Sequence, residues 1–388
     1  MLHDCQWNDE FPQDPAICYL NHAAVAPWPK RAAEAVKAFA CENLHQGARD
    51  YPRWVQLEHR LRGQLQTLLN APGKGDIALV KNTSEALSFV AMGLDWTEGD
   101  EVLISDEEFP SNRIPWEALA PRGVRLRQVS LNGADPEGAL IEAMGPATRL
   151  LSISSVQYAS GLRMDLARLG RACRERGILF CVDAIQSLGA IELDVQAIHC
   201  DFAMADGHKW LLGPEGLGVF YCRREVRDRL HLTQFGWHMV EALGDYDRAD
   251  WMPASTARRF EPGSPNTLAQ HALSASLELL LEVGLGRIQE ALQQRTAYLI
   301  QSIGALPGAR LLSPATPERR AGIVTFSFAG IDSQWLYQRL MQAGVVCAAR
   351  GGGVRWSPHF YTSQQVLDRA LEILRGLLHE ARGSDPSR

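Results

Sequence analysis

The sequence predicts a two-domain α/β protein: a large domain on a mostly parallel sheet flanked by helices, then a smaller α+β domain at the C-terminus. Three observations carry this. At 388 residues the chain exceeds the usual size of a single hydrophobic core. Short apolar runs without polar alternation, such as Ile178–Val182, read as strands buried on both faces, as in parallel sheets. These runs alternate with helical stretches, as in Arg149–Val156, Asp165–Arg176 and Ile178–Val182, an order that favours the parallel crossover. The expected division is an arm over 1–18, a large domain over 19–265 and a small domain over 266–388.

The elements follow in order. The arm holds two prolines and leads into Tyr19-Leu20-Asn21-His22-Ala23-Ala24. From Arg31 to Leu69 the pattern is helical, with Ala32, Ala35, Val36 and Phe39, then Trp54, Leu57, Leu61, Leu65 and Leu68 at helical spacing. Asp76–Val80 reads as a strand with Lys81–Ser84 as its exit, followed by helical spacing in Leu87, Val90, Ala91 and Leu94. Val102–Ile104 is the next strand and exits through Glu107–Asn112. Phe202–Ala205 leads into Asp206-Gly207-His208-Lys209. Helical pattern returns over Leu268–Ile303, then strand pattern over Ile323–Phe328 and Val345–Ala349. The polar tail Gly383–Arg388 is expected to fray.

Composition excludes several classes. A formal charge of −6 without a Lys/Arg run gives no footprint for nucleic acid. No apolar stretch reaches transmembrane length, and the acidic start has no secretory pattern. The eight cysteines are scattered, with no CxxC and no histidine at metal spacing, so the expectation is a cytoplasmic protein with reduced thiols and no metal.

The chemistry concentrates between Gly177 and Gly218. Two apolar strands each deliver an ionisable group just past their ends, Asp183 and Lys209, where open α/β sheets place the ligand crevice. An acid and an amine brought together suit pyridoxal 5'-phosphate: the amine condenses with its aldehyde, and the acid holds the pyridinium proton. The plainer alternative is two unrelated strand-end charges. At Thr83 and Ser84, hydroxyls at a helix start either cap the helix or help to bind an anion there.

VDAIQSLGAIELDV followed by ADGHKWLLGPEGLGVF resembles the class V aminotransferase-like, fold-type I pyridoxal-phosphate enzymes, a group with cysteine desulfurases, isopenicillin N epimerase-like proteins and kynureninase relatives. The resemblance runs from Tyr19 to the Ser357-Pro358-His359 segment and lies nearer the epimerase-like branch. It implies Lys209 as the cofactor lysine, Asp183 on the pyridine nitrogen, Gln186 on the phenolic oxygen, and His208, Ser84 and Thr83 around the phosphate. Phe109 would stand face-on to the cofactor ring, or else be a core phenylalanine. His22 would neighbour the substrate, or else be a loop histidine. Ser264, in Arg258-Arg259-Phe260-Glu261-Pro262-Gly263-Ser264-Pro265-Asn266, would reach the phosphate of a neighbouring subunit in a homodimer, or else belong to a turn. Arg350 would bind the α-carboxylate of an amino-acid substrate, with Arg355 as second choice.

The chain departs from the family at three places. Asp206 replaces a serine beside the phosphate and must point away or be neutralised. Tyr158 stands where desulfurases have an asparagine. No cysteine follows Arg350, and Cys347 precedes it in an apolar run. These departures favour an aminotransferase, lyase or epimerase over sulfur transfer. A nicotinamide-dependent dehydrogenase would need a glycine-rich turn after an early strand, and Lys81–Ser84 has no glycine. A non-catalytic protein of the same fold would have no need of Lys209, Asp183, Gln186 and Arg350 together.

Overall fold

The computed structural model describes residues 7–383; Cys5 and the tail from Ser384 lie outside the described residues. The strands are β1 (Cys18–Tyr19), β2 (Ile77–Val80), β3 (Glu101–Ser105), β4 (Arg125–Val129), β5 (Thr148–Ser154), β6 (Leu179–Asp183), β7 (Phe202–Asp206), β8 (Gly218–Cys222), β9 (Ala309–Leu311), β10 (Val324–Phe328), β11 (Val345–Val346), β12 (Ala348–Arg350) and β13 (Gly353–Trp356). Seven of them form the large sheet in the order β2-β8-β7-β6-β5-β3-β4. Neighbours from β7 through β4 pair in parallel, and β8 alone runs against the rest. Two apolar cores, one on each face, bury this sheet, which explains why its central strands carry no polar alternation.

The small domain is a four-stranded antiparallel sheet, β12-β13-β10-β9, backed by the helices Leu285–Gly304, Ser333–Gln342 and Gln364–Gly383. Its core also takes Cys18 and Leu20, because β1 pairs in parallel with β11. The helix Thr267–Val283 packs against Lys30–Gln46 and Tyr51–Leu69, on the large domain. Packing therefore does not divide at residues 18 and 265. The expected helical stretch 268–303 breaks at Gly284, whose φ of 86° only a residue without a Cβ adopts at low cost. The change of domain follows that break: Ile288, Ala291 and Leu292 still touch the large core, whereas Leu299, Ile300 and Ile303 enter the small one.

A buried ion network ties the large domain together. Arg62 pairs with Glu58 and Glu261 at 2.6 Å each and donates to the Ile77 carbonyl; Glu261 also accepts from Leu79 N–H. Glu58, Glu261 and His238 each bring a potential ligand atom within 4.8 Å of the others, but Arg62 already matches the two carboxylates. Removing one partner leaves a buried charge unmatched. Glu261→Ala is expected to lower unfolding stability by about 3–5 kcal/mol in urea titration. A loss below about 1 kcal/mol would rank the network with exposed pairs.

Candidate active site

Asp183 ends β6 and Asp206 ends β7, so both carboxylates emerge at the same edge of the sheet, three residues before Lys209 in the second case. The loop after β7 is tight. Gly207 donates to the Leu217 carbonyl at 2.9 Å and accepts from Gly213, and a Cβ there would meet Leu217 O at 2.9 Å. That turn aims Lys209 back over the sheet, with Nζ 5.7 Å from the Phe109 ring centroid.

The charges act on one another. Asp183 is buried, and burial raises its pKa; the Ile185 N–H bonded to Oδ1 at 3.0 Å and the Lys209 charge oppose that rise. Burial lowers the Lys209 pKa, although Asp183 pulls the other way, so the neutral amine is more available than on a surface lysine. Glu108, which the sequence reading passed over, adds its negative charge to the environment of Asp183. It lies buried under Ser154, the register partner of Asp183. Five donors hold it: Ser105 Oγ, Asn112 Nδ2, Ser154 N and Oγ, and Gln157 Nε2, at 2.5–3.1 Å. Its one sequence signal is its place beside Glu107 at a strand exit.

Thr83 and Ser84 open the helix Thr83–Gly93, but its capping falls to Asn82, whose side chain accepts from Glu85 N–H at 2.9 Å. Ser84 Oγ instead bonds Ser111 Oγ at 2.9 Å. Asp206 is turned toward this helix start: Oδ1 accepts from Thr83 N–H and from Thr83 Oγ1 at 3.0 Å. His208 lies beside it with Nδ1 buried and without a hydrogen-bond partner, and burial with the Lys209 charge lowers its pKa to about 4. Nδ1 lies 3.5 Å from Asp206 Oδ2 without a hydrogen bond to it, and a nitrogen free to accept or donate beside a helix N-terminus and two hydroxyls fits a phosphate. Asp206 does not point away; it occupies part of the same donor set.

Gln186 is locked in place, Nε2 donating to the Ala23 carbonyl at 3.0 Å and Oε1 accepting from Trp210 at 2.9 Å, which leaves one amide proton free. Trp210, fully buried, is a positioning residue absent from the sequence expectations. His22 has a different place from the one expected. It is completely buried, with Nδ1 2.8 Å from the Ser357 carbonyl and Nε2 2.7 Å from Tyr361 Oη, so neither nitrogen is open to a substrate. Burial lowers its pKa to about 4, leaving a neutral core histidine. Ser264 is exposed in the loop before Thr267–Val283.

The two arginines differ from their expected rank. Arg350 is exposed and donates to the Ala349 carbonyl at 2.8 Å. Arg355 is 2% exposed, donates to the Tyr158 carbonyl at 2.7 Å, and keeps a buried Nε without a partner. Burial, followed by the Arg350 charge, lowers its pKa to about 10. A buried guanidinium with a free donor is the better-prepared carboxylate site.

The Asp206 contact generates a prediction. Asp206→Ser removes the competing carboxylate and is expected to tighten pyridoxal phosphate about tenfold at about pH 8. Burial raises the Asp206 pKa, so the wild-type carboxyl is neutralised first as pH falls, and the advantage should shrink toward about pH 5. Cofactor dissociation constants at both pH values check this; weaker binding by the variant would make Asp206 a support of the site.

The family described as Aminotransferase class-V matches residues 18–369. A probable cysteine desulfurase of Methanothermobacter thermautotrophicus is 30% identical over 92% of this chain and 95% of its own. Isopenicillin N epimerase of Streptomyces clavuligerus is 31% identical over 95% and 96%. Among solved structures, the cysteine desulfurase CsdA of Escherichia coli aligns with a TM-score of 0.87 at 25% identity, covering 98% of this chain and 99% of that one. The cystine C-S lyase C-DES, in complex with cysteine persulfide, gives 0.87 at 26% identity over 94% and 98%. With matching cores, a lysine and an acid at adjacent strand ends, and a family match across nearly its whole length, the chain belongs to the class V aminotransferases and is a pyridoxal-phosphate enzyme.

Proposed function

We propose that this enzyme works at Cα or Cβ of an amino acid as an aminotransferase, lyase or epimerase, and that it is not a cysteine desulfurase. When bound, the cofactor supplies an electron sink for charge developing at the substrate's α-carbon. Asp183 holds the proton on the pyridine nitrogen. Lys209 anchors the cofactor and afterwards takes and returns the Cα proton at Nζ. Phe109 covers the ring, Thr83, Ser84 and His208 hold the phosphate, and the free amide proton of Gln186 serves the phenolic oxygen. Arg355 orients the α-carboxylate.

The observation that supports the reading against sulfur transfer is the position of Cys347. Desulfurase chemistry needs a thiolate that reaches the substrate sulfur. Cys347 is 2% exposed inside the small-domain core, and burial pushes its pKa up to about 12. No cysteine follows it in the chain.

Ser264 is proposed to complete the phosphate shell of a second subunit in a homodimer. Its exposure supports this, as do exposed Phe235, Trp237, Tyr246, Trp251 and Met252, an apolar surface unusual for a monomer. Cytoplasmic residence is proposed on the free state of the seven described cysteines. No described helix is long and apolar enough to cross a membrane.

The purified protein is expected to be yellow, and borohydride should fix the cofactor to Lys209 in peptide mapping. Cofactor uptake should speed up as pH rises and level off below the pKa of an ordinary lysine, because the neutral amine is the nucleophile and burial lowers its pKa. An adduct on any other lysine would remove the assignment. With L-cysteine as substrate, alanine and persulfide formation should be negligible and equal in wild type and Cys347→Ser. Rapid desulfuration abolished by that substitution would reverse the reading.

A further inference from the structure

We infer that the substrate is an amino acid carrying a second anionic group, held by Arg350 while Arg355 holds the α-carboxylate. This rests on the reading of Lys209 as the cofactor lysine.

The hairpin of β12 and β13 sets the two guanidiniums together. Its register pairs Ala348 with Arg355 and Arg350 with Gly353. Paired residues share a face, and so do residues two apart on one strand, so Arg350 and Arg355 stand diagonally on the same face. Thr325, the partner of Arg355 on β10, shares that face and donates to the Ala159 carbonyl at 2.6 Å. Arg355 itself donates to the Tyr158 carbonyl, and Gly351 at the turn packs against Ala159. This face therefore overlooks the exit of β5, where Tyr158 packs edge-on to Phe109, the ring beside Lys209. The other face, with Val354 and Trp356, fills the small core.

Neither arginine has a carboxylate partner within 4 Å among the described residues. Glu107, whose carboxylate accepts from Ser160 Oγ at 2.7 Å, pairs with neither. The charged or titrating groups acting on Arg355 are Arg350, Tyr158 and Cys347, none of them a carboxylate. Both arginines also bear on Lys209. Two cations converging on one crevice, one buried with an open Nε, repel each other unless a ligand compensates them. One α-carboxylate matches a single charge. A substrate with a further acid matches both.

The test uses cofactor-loaded enzyme and two nearly isosteric pairs, L-aspartate against L-asparagine and L-glutamate against L-glutamine. Binding is read from the change in the cofactor's visible absorption, with or without turnover. At least one acid is expected to bind at least about tenfold more tightly than its amide. Arg350→Gln should bring that ratio to near one, Arg350→Lys should restore part of it, and Arg355→Ala should weaken both members of the pair. Equal or tighter binding of both amides, a ratio unchanged in Arg350→Gln, or no spectral response to any of the four would overturn the inference. If Lys209 still carries the cofactor in that case, the functional reading survives alone; if it does not, both fall.

Discussion

The rest of the structure answers to one electrostatic constraint, a buried carboxylate and a half-buried amine set at the ends of adjacent strands. Asp183 is buried at the end of β6, and Lys209 follows the end of the adjacent strand β7. Taking either charge out of water costs several kcal/mol. Burial raises the acid's pKa and lowers the amine's, while each group favours the charged form of the other. Glu108 sharpens the balance. Its five donors satisfy it locally, so its charge bears on Asp183 without moving toward it. An acid kept basic in this way is suited to hold a proton on a ring nitrogen.

That constraint explains which elements are rigid. The strands that deliver the pair lie in the middle of a seven-stranded sheet buried on both faces. The N-terminal segment is fastened over the site from two sides: Ala23 accepts from Gln186, and Ala26 donates to the His208 carbonyl. The same segment reaches the small domain through β1 and β11 and through His22 and Ser357. Small-domain position is thus coupled to the crevice through backbone, and the arginine hairpin is placed by the same packing.

Much of this was legible in the sequence, and the misses have physical reasons. Central strands such as β5, β6 and β7 announce themselves because burial on both faces demands uninterrupted apolar runs. β4, an edge strand of sequence RLRQV with mostly solvent-facing side chains, does not. Asp183 and Lys209 were readable because strand ends are where ligands bind. His22 was misplaced because a short polar residue pattern cannot show that Ser357 and Tyr361, more than 330 positions away, occupy both ring nitrogens. Arg350 and Arg355 share a face, and their difference in burial follows from the strand order, Arg350 ending the edge strand β12 and Arg355 lying on β13 between β12 and β10, which spacing along the chain does not show. Glu108 was invisible because its donors come from separate strands and loops.

Two of the unfilled buried polar atoms belong to the candidate site. Buried groups are nearly always hydrogen-bonded, and a large core has ample means to satisfy them. Among the described residues several buried side-chain atoms lack a partner, and His208 Nδ1 and Arg355 Nε are the ones at the candidate site, in the large and small domains respectively. The His208 nitrogen is neutral and sits by the start of a helix; the Arg355 nitrogen is cationic and faces no acid. Their chemistry is therefore different, one suited to a phosphate already served by helix N–H groups and hydroxyls, the other to a carboxylate. Glu58, Glu261 and Arg62 show the contrasting case, in which buried charge is matched within the protein and no donor is left for a ligand. The distinction between a structural ion network and a binding site thus rests on whether the protein completes the shell itself. Around Lys209 it does not: His208 Nδ1 and Arg355 Nε are left for a ligand to fill.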